Sequence, residues 1–146
     1  MTIRQALKYK NKLVTKMNEE YSKASTYNSI EDGNDRPYDV KAALTNYLSL
    51  SNELIELKTK IHKANSVVYD KIFRLSELKS QISKLNHLNC TKGSINSRFG
   101  RIAGDEPTKV TAIIGVVERD ELVKTIETEI EKIQEELDAH NATTNI

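Results

Sequence analysis

The chain has 146 residues, of which 38% are hydrophobic, 29% charged and only 5% aromatic, and its formal net charge is +1. With no Trp, two Pro and five Gly, this composition is typical of a helical bundle or coiled coil and argues against a β-sandwich or a pocketed enzyme. The near-zero charge excludes a global attraction to nucleic acid or anionic lipid. The length predicts one domain, residues 1–146, with one modest core.

The sequence has no feature of an export or membrane segment. Lys8, Lys10 and Lys12 interrupt the apolar residues near the N-terminus, and no run approaches the roughly 18 apolar residues that a membrane-spanning helix needs. The single Cys90 cannot form a disulfide within the chain. We therefore expect a soluble, cytoplasmic protein without a membrane partner.

The first predicted helix covers residues 2–29. Thr2 and Gln5 form a capping-box pattern at its start, and apolar residues recur at steps of three and four along it. The polar segment 31–37 predicts a turn, because Gly33 tolerates a positive φ and Pro37 cannot continue a helix. The two helices on either side of this turn should form an antiparallel hairpin.

The central helix is predicted over residues 39–65, with Asp39 as its N-cap. Its apolar residues alternate three and four apart, the pattern of a heptad helix. They are Val40, Ala43, Tyr47, Leu50, Leu54, Leu57, Ile61, Ala64 and, just past the predicted helix end, Val68. Leu44, Leu48 and Ile55 widen this stripe into a broader face, which predicts more than one partner helix.

The segment 67–74 is rich in β-branched and aromatic residues, which favours a break in the helix and an extended segment or small hairpin. The alternative is a single helix that continues to Cys90 with an irregular step after Val68. In the favoured interpretation, a third helix follows over residues 76–91, with Ser76 as its cap.

A β-hairpin is predicted over residues 94–117, with a turn at 103–108 and a strongly β-prone second strand at 109–117. That strand is apolar on both faces, and an isolated hairpin is marginal in water, so helices or another subunit should cover it. The last helix is predicted over residues 118–141, and the polar tail from Ala142 is expected to fray.

These elements predict a mainly α protein: an amphipathic helical hairpin or bundle of about four helices with a β-hairpin inserted before the last helix. The long apolar stripes and the apolar strand predict a homo-oligomer. The residues expected to pack helices together are Leu54, Leu57, Ile61, Ile126, Ile130 and Ile133. Those expected to bury the hairpin or associate through it are Ile113, Ile114 and Val116.

The charges are unevenly distributed along the chain. Residues 1–30 carry six basic and two acidic groups, residues 58–101 ten and two, and residues 118–138 three and nine. Either these are ordinary solvated faces, or the charges select which helices pair, within the chain or between chains. A nucleic-acid interface on the basic 58–101 region is a weaker alternative, because its Lys and Arg residues are scattered around the helix and no recognised binding motif is present.

No residue pattern indicates catalysis, a metal or a cofactor. His87 and Cys90 are one helical turn apart and could supply half a zinc site, but a second ligand pair is lacking. Glu127 and Glu131 flank an apolar stripe and should face water, where nothing would raise their pKa for acid–base chemistry. Phosphate-binding loops, dinucleotide fingerprints and nucleophile elbows are also lacking. We therefore expect a protein that is not an enzyme and uses no cofactor.

Five short motifs follow one another along nearly the whole chain: IRQAL at 3–7, EDGNDRP at 31–37, IHKAN at 61–65, LSEL at 75–78 and LDAHN at 137–141. In these motifs the chain resembles the septicolysin-like family of small bacterial helical proteins. The resemblance implies a helical architecture and carries no mechanism. The order helix, β-hairpin, helix is also similar to prefoldin-type chaperones, where hairpins assemble the oligomer and helix tips hold unfolded clients.

The function that we predict from the sequence is a non-catalytic, self-associating helical assembly or protein-interaction protein with an unidentified partner. A prefoldin-like holdase and a nucleic-acid-binding protein are the two alternatives.

Overall fold

A computed structural model describes residues 1–95 and 107–146 of the chain. The elements are α1 (Ile3–Tyr27), α2 (Val40–Ala64), a 3₁₀ turn (Asn65–Val68), α3 (Tyr69–Asn86), β1 (Gly93–Ile95), β2 (Thr108–Val110) and α4 (Val116–Thr143). Because α2, the 3₁₀ turn and α3 follow one another without interruption, the described residues form three helical segments. The protein is mainly helical, with a small antiparallel hairpin before the last helix, as predicted. The predicted bundle of about four helices is not confirmed.

Contacts within the chain define two compact units. The first unit combines Met1–Tyr69 with Leu137–Ile146, and the second is Asp70–Glu136. The single domain expected from the chain length therefore remains a prediction.

The two ends of α1 are fixed by polar side chains. Thr2 Oγ1 accepts from the amide of Gln5 at 3.3 Å, and the Thr2 amide donates to Gln5 Oε1 at 3.0 Å, which confirms the predicted capping box. At the other end, Arg36 donates hydrogen bonds to the carbonyls of Tyr27 and Asn28. These carbonyls have no amide partner further along the helix, so Arg36 satisfies groups that the helix itself cannot.

The chain reverses between α1 and α2 as the polar turn predicts. Gly33 has a φ of 88°, a conformation that an L side chain would oppose. Asp39 Oδ1 then accepts from the Ala42 amide at 3.0 Å, which confirms Asp39 as the N-cap of α2.

Helices α1 and α2 pack side by side in opposite directions. The rings of Tyr21 and Tyr47 lie 5.4 Å apart, those of Tyr27 and Tyr38 lie 5.6 Å apart, and Tyr9 bonds Glu53. Residues further along α1 therefore contact residues nearer the start of α2, so the two helices form an antiparallel hairpin, as predicted.

The core of the first unit lies between these two helices. Leu13 is only 1% exposed, and Ile3 and Ala6 are fully buried. On the α2 side, Leu54, Leu57 and Ile61 complete the same cluster. Burying a Leu or Ile side chain contributes about 1.5–3 kcal/mol, so this cluster supplies much of the hairpin's stability.

The C-terminus is bound to the start of α1, and the predicted fraying after Ala142 is wrong. The Ile3 amide donates to the Thr144 carbonyl, and the Ile146 amide donates to the Met1 carbonyl, both at 2.9 Å. Thr2 and Asn145 form a β-bridge, and Ile146 packs against the core cluster. Although the tail is mostly polar, its last residue, Ile146, is apolar and holds the tail against the start of α1.

The predicted break at residues 67–74 is also wrong, because these residues continue the helix. Asn65–Val68 form a 3₁₀ turn with Val68 buried, and α3 begins directly at Tyr69 rather than at Ser76. Extending a helix that has already formed costs less free energy than starting a new one. The β propensity of a residue reflects how its side chain packs against neighbouring strands more than a preference of its own backbone. The 3₁₀ turn lies at the position of the irregular step after Val68 that the sequence shows.

In the second unit, basic residues of α3 pair with acidic residues of α4. Lys71 Nζ lies 2.6 Å from Glu136 Oε2, and Arg74 forms an ion pair and a hydrogen bond with Glu129. These pairs support the interpretation in which the uneven charges help to pair helices within the chain.

The β-hairpin is shorter than predicted. Its register pairs Gly93 with Val110, Ser94 with Lys109 and Ile95 with Thr108. The β-prone run from residue 109 leaves the sheet after Val110, and Val116 already begins α4. The Gly115 carbonyl accepts from the Arg119 amide at 3.0 Å, so the first turn of α4 forms there. Residues 96–106, including most of the predicted turn at 103–108, lie outside the described residues.

Candidate functional site

Three of the predicted helix-packing residues belong to the core of the first unit. Leu54, Leu57 and Ile61 are only 7–8% exposed and pack with α1 residues in one cluster. The three-and-four spacing brings them to the side of α2 that faces α1. They hold the hairpin together and offer no surface to another chain while it is folded.

The other three predicted packing residues lie on α4 in the second unit. Ile133 is buried, whereas Ile126 and Ile130 are half-buried. The structure therefore separates the two predicted groups of helix-packing residues into different units.

The predicted hairpin residues follow β2 and lead into α4. Ile113 is 98% exposed, Ile114 is half-buried, and Val116 is exposed in the first turn of α4. The described residues leave Ile113 in water, although an isoleucine normally lies inside a fold.

Five exposed apolar side chains lie on one side of the α1–α2 hairpin. We call it the apolar face, and it consists of Val14 and Tyr21 of α1 with Leu44, Leu48 and Ile55 of α2. These side chains are 39–59% exposed. At about 100° per residue, the three α2 residues fall within roughly 40° of one another around the helix axis, and the two α1 residues within about 20°. In the antiparallel pair, both sets point to the same side of the core.

The opposite side of the hairpin is polar. A shallow groove there is lined by Lys16, Glu19, Glu20, Asn46, Ser49 and Leu50. Lys23 donates to Glu20 at 2.6 Å and Asn46 donates to it at 3.2 Å. These two hydrogen bonds hold the pKa of Glu20 below its usual value. The hairpin therefore has two different sides, one apolar and one charged.

Part of the apolar face was predictable from the spacing of apolar residues. Leu44, Leu48 and Ile55 were recognisable as a widening of the α2 stripe, but Val14 and Tyr21 fit the core stripe of α1 equally well. The neighbouring residues Asn11 and Asn18 supply the missing signal, because uncharged polar residues at helical spacing mark a border between an apolar and a charged side.

Few reactive side chains come together in the described part of the chain. Residues 1–95 and 107–146 contain no group of three or more His, Cys, Asp and Glu that could hold a metal. His87 Nδ1 lies 2.6 Å from the Ser83 carbonyl, and Cys90 is a buried free thiol. The two residues that could have formed half a zinc site are thus not joined by further ligands among the described residues.

The basic region at 58–101 was the basis of the nucleic-acid alternative. Lys71 and Arg74 are engaged by carboxylates of α4, while Arg98 and Arg101 lie outside the described residues. The predicted nucleic-acid alternative therefore gains no specific support.

Among the described helices, none is long and apolar enough to cross a bilayer. Comparison of the chain with models of known protein families, with curated proteins and with solved structures finds no match. The resemblances to the septicolysin-like family and to prefoldin-type chaperones therefore remain predictions.

Proposed function

We propose that this protein is a non-catalytic helical assembly protein that associates with itself. The observation that carries the proposal is the apolar face of the α1–α2 hairpin, where five large apolar side chains are 39–59% exposed. Monomeric proteins seldom leave such side chains next to one another, and clusters of them mark interaction sites.

Self-association would remove from water the apolar surface that the folded chain leaves exposed. Each square ångström of apolar surface removed from water contributes about 25 cal/mol, so covering several half-exposed Leu, Ile, Val and Tyr side chains is strongly favourable. Association must exceed about 4–15 kcal/mol of lost rotational and translational freedom, and two copies of an apolar face supply a term of that size.

Solution mass tests this proposal directly. Light scattering coupled to size-exclusion chromatography, run at loading concentrations that differ about 100-fold, should give a discrete mass that is a multiple of 16.6 kDa. A mass of 16.6 kDa at every concentration would refute the proposal.

A holdase activity is a second candidate, favoured by one observation: Ile113, beside the β-hairpin that separates α3 and α4, is 98% exposed. An exposed apolar residue next to a hairpin could contact unfolded chains. In an ATP-free assay, an equimolar amount of the protein should suppress aggregation of a denatured client. Ile113→Asp should reduce that effect, and Thr111→Asp, at a neighbouring exposed position, should not. Absence of suppression by the wild-type protein would contradict this candidate.

A further inference from the structure

We infer that Asp32 is a site of spontaneous covalent modification, where the Asp32–Gly33 linkage rearranges through a cyclic imide to an isoaspartyl linkage in the native turn between α1 and α2. The inference is independent of self-association, because the reaction occurs within one chain and needs no partner. It makes this turn a place where the folded protein changes chemically with time.

The sequence contains the reactive pair once. Asp32 is followed by Gly33, and the chain has no other Asp-Gly pair and no Asn-Gly pair. The imide forms when the backbone nitrogen of the following residue attacks the side-chain carbonyl carbon. A Cβ on that following residue obstructs the approach, and glycine has none. Asp35, in the same polar segment, is followed by Arg36 and therefore provides an internal comparison.

The conformation of the turn leaves the attacking nitrogen free. The Asn34 amide donates to the Glu31 carbonyl at 3.2 Å, which closes a four-residue turn with Asp32 and Gly33 at its centre. Gly33 has a φ of 88° and Asp32 does not have a positive φ, so the turn is of type II. The hydrogen bond that closes the turn does not use the central amide, and Gly33 donates no other hydrogen bond within the described part of the chain.

The surroundings of the pair are open. Asp32 and Gly33 are both exposed, and a Cβ placed on Gly33 would meet no atom within 4 Å. The Asp32 carboxylate has no hydrogen bond or ion pair with any residue that the structure describes. Fixed contacts begin beyond the pair, where Arg36 donates to the carbonyls of Tyr27 and Asn28 at 2.8 and 3.2 Å. Ring closure therefore breaks no contact of the Asp32 side chain and does not require the helices to open.

The rearrangement balances with water as its only reactant. The Gly33 nitrogen forms a bond to Asp32 Cγ, and the hydroxyl of the protonated carboxyl leaves with the amide proton as water. Water then adds to either carbonyl of the imide. Cleavage of the bond between the nitrogen and Cγ restores aspartate. Cleavage of the bond between the nitrogen and the backbone carbonyl carbon directs the chain through Cβ and Cγ and frees the α-carboxylate.

The isoaspartyl form has a backbone that is longer by one carbon atom. The hydrogen bond from Asn34 to Glu31 depends on the spacing of a four-residue turn, so the product loses it. Arg36 must then reach the carbonyls of Tyr27 and Asn28 from a longer segment, which weakens its cap on the end of α1. We expect the modified protein to melt at a lower temperature than the unmodified protein.

Incubation of the full-length protein at neutral pH tests the inference. Peptide mass spectrometry with electron-transfer fragmentation distinguishes isoaspartate from aspartate and locates it, and the chain unfolded in guanidinium chloride supplies a reference rate. Because a surface turn opens at little cost in free energy, the native protein should form isoaspartate at residue 32 within about tenfold of that rate. A site that reacted only after global unfolding would be at least about 1,000-fold slower. Asp35 should remain unmodified in the native protein.

Two substitutions at the same exposed position separate the chemistry from the fold. Asp32→Asn keeps the attacking amide and replaces the carboxylate with a neutral amide, which is more easily attacked. This variant should therefore form isoaspartate faster than the wild type, with release of ammonia. Asp32→Glu would require a larger ring and should form no isomer at this position. Circular dichroism should show the wild-type helix content for both variants.

Three results would overturn the inference. A native rate more than about tenfold below the reference would show that the folded turn holds the reacting atoms apart. Equal rates at Asp32 and Asp35 would show that the reaction does not depend on the Gly33 amide. A folded Asp32→Asn variant that is not converted would show that this amide does not reach the side chain at residue 32. The proposed self-association would survive each of these results.

Discussion

The phenolic oxygen of Tyr9 donates a hydrogen bond of 2.5 Å to Oε1 of Glu53, and this bond joins α1 to α2 across the polar side of the hairpin. The hydrogen bond to Glu53 is the main reason that the pKa of Tyr9 lies above its usual value of 10.0, and desolvation and the negative charge of Glu53 act in the same direction. The carboxylate therefore favours the protonated phenol.

This bond predicts how the folded protein responds to alkali. Because the pKa of Tyr9 is raised in the fold, the bond stabilises the protein fully below the unfolded value of 10.0, and its contribution is lost as the pH rises through the folded value. The difference between the phenolate absorbance titrations of the wild type and Tyr9→Phe should have its midpoint above 10.0.

Glu53→Ala serves as the control for the alkaline titration, because it removes the acceptor and keeps Tyr9. The Tyr9 titration should then move back toward 10.0. A wild-type difference midpoint at or below 10.0 would contradict the role assigned to the Tyr9–Glu53 bond.

The core cluster predicts a large and local effect of truncating Leu13. This side chain is 1% exposed, so Leu13→Ala should lower the free energy of unfolding by about 3 kcal/mol through lost burial and a residual cavity. Lys12→Ala is a suitable control, since Lys12 is exposed and lysine and alanine both favour the helix. Urea unfolding at one protein concentration would measure both, and similar losses would contradict the assigned core.

Sequence patterns predicted the helix starts and the apolar spacing well, because both depend on local chemistry. Thr2 and Asp39 cap helices wherever their side chains can reach a free amide. The patterns placed Leu54 in the main apolar stripe and Leu48 in its widened face, but they could not decide that the fold leaves Leu48 54% exposed. The widened face predicted a further partner helix, and whether a helix covers it depends on contacts that the spacing within α2 does not specify.

The extended segment predicted at 67–74 was wrong, and the hairpin predicted at 94–117 was too long, for a different reason. Val67 and Val117 have side chains that favour strands, yet both lie in helical segments. A residue's preference for a strand depends on a neighbouring strand against which its side chain can pack. The two paired strands described here have only three residues each, so little such surface is present. Similarly, the tail composition could not reveal Ile146 as an anchor, because its partners lie at the other end of the chain.

The C-terminal anchor predicts that a short deletion will destabilise the start of α1. A chain ending at Thr143 loses the Thr144 carbonyl that accepts from Ile3 and the Ile146 amide that donates to Met1. Two hydrogen bonds and one apolar contact together contribute about 2–3 kcal/mol. Hydrogen exchange should show a loss of protection at the Ile3 amide.

Asn145→Ala is the matched control for this deletion, because it keeps both backbone bonds and the Ile146 side chain. Its Ile3 amide should exchange at the wild-type rate. Unchanged protection at Ile3 in the shortened chain would mean that the tail contacts do not stabilise this end of α1.

The Lys71–Glu136 pair predicts a small stability term that depends on acid and salt. The hydrogen bond from Lys71 holds the pKa of Glu136 below its usual 4.5, and the nearby charge of Lys71 adds to this. A carboxylate with a lowered folded pKa contributes stability above 4.5, and that contribution disappears as the pH falls through the folded value. The side chains are 38% and 40% exposed, so solvent and salt screen the pair.

Glu136→Gln should therefore lower the melting temperature slightly at pH 7 and low salt. The difference from the wild type should shrink in 1 M salt and below the folded pKa of Glu136. Glu135→Gln is the control, since Glu135 is exposed and has no ion pair among the described residues. Equal shifts for the two variants at pH 7, or a difference that grows in acid, would show that Lys71 does not stabilise the ionised form of Glu136.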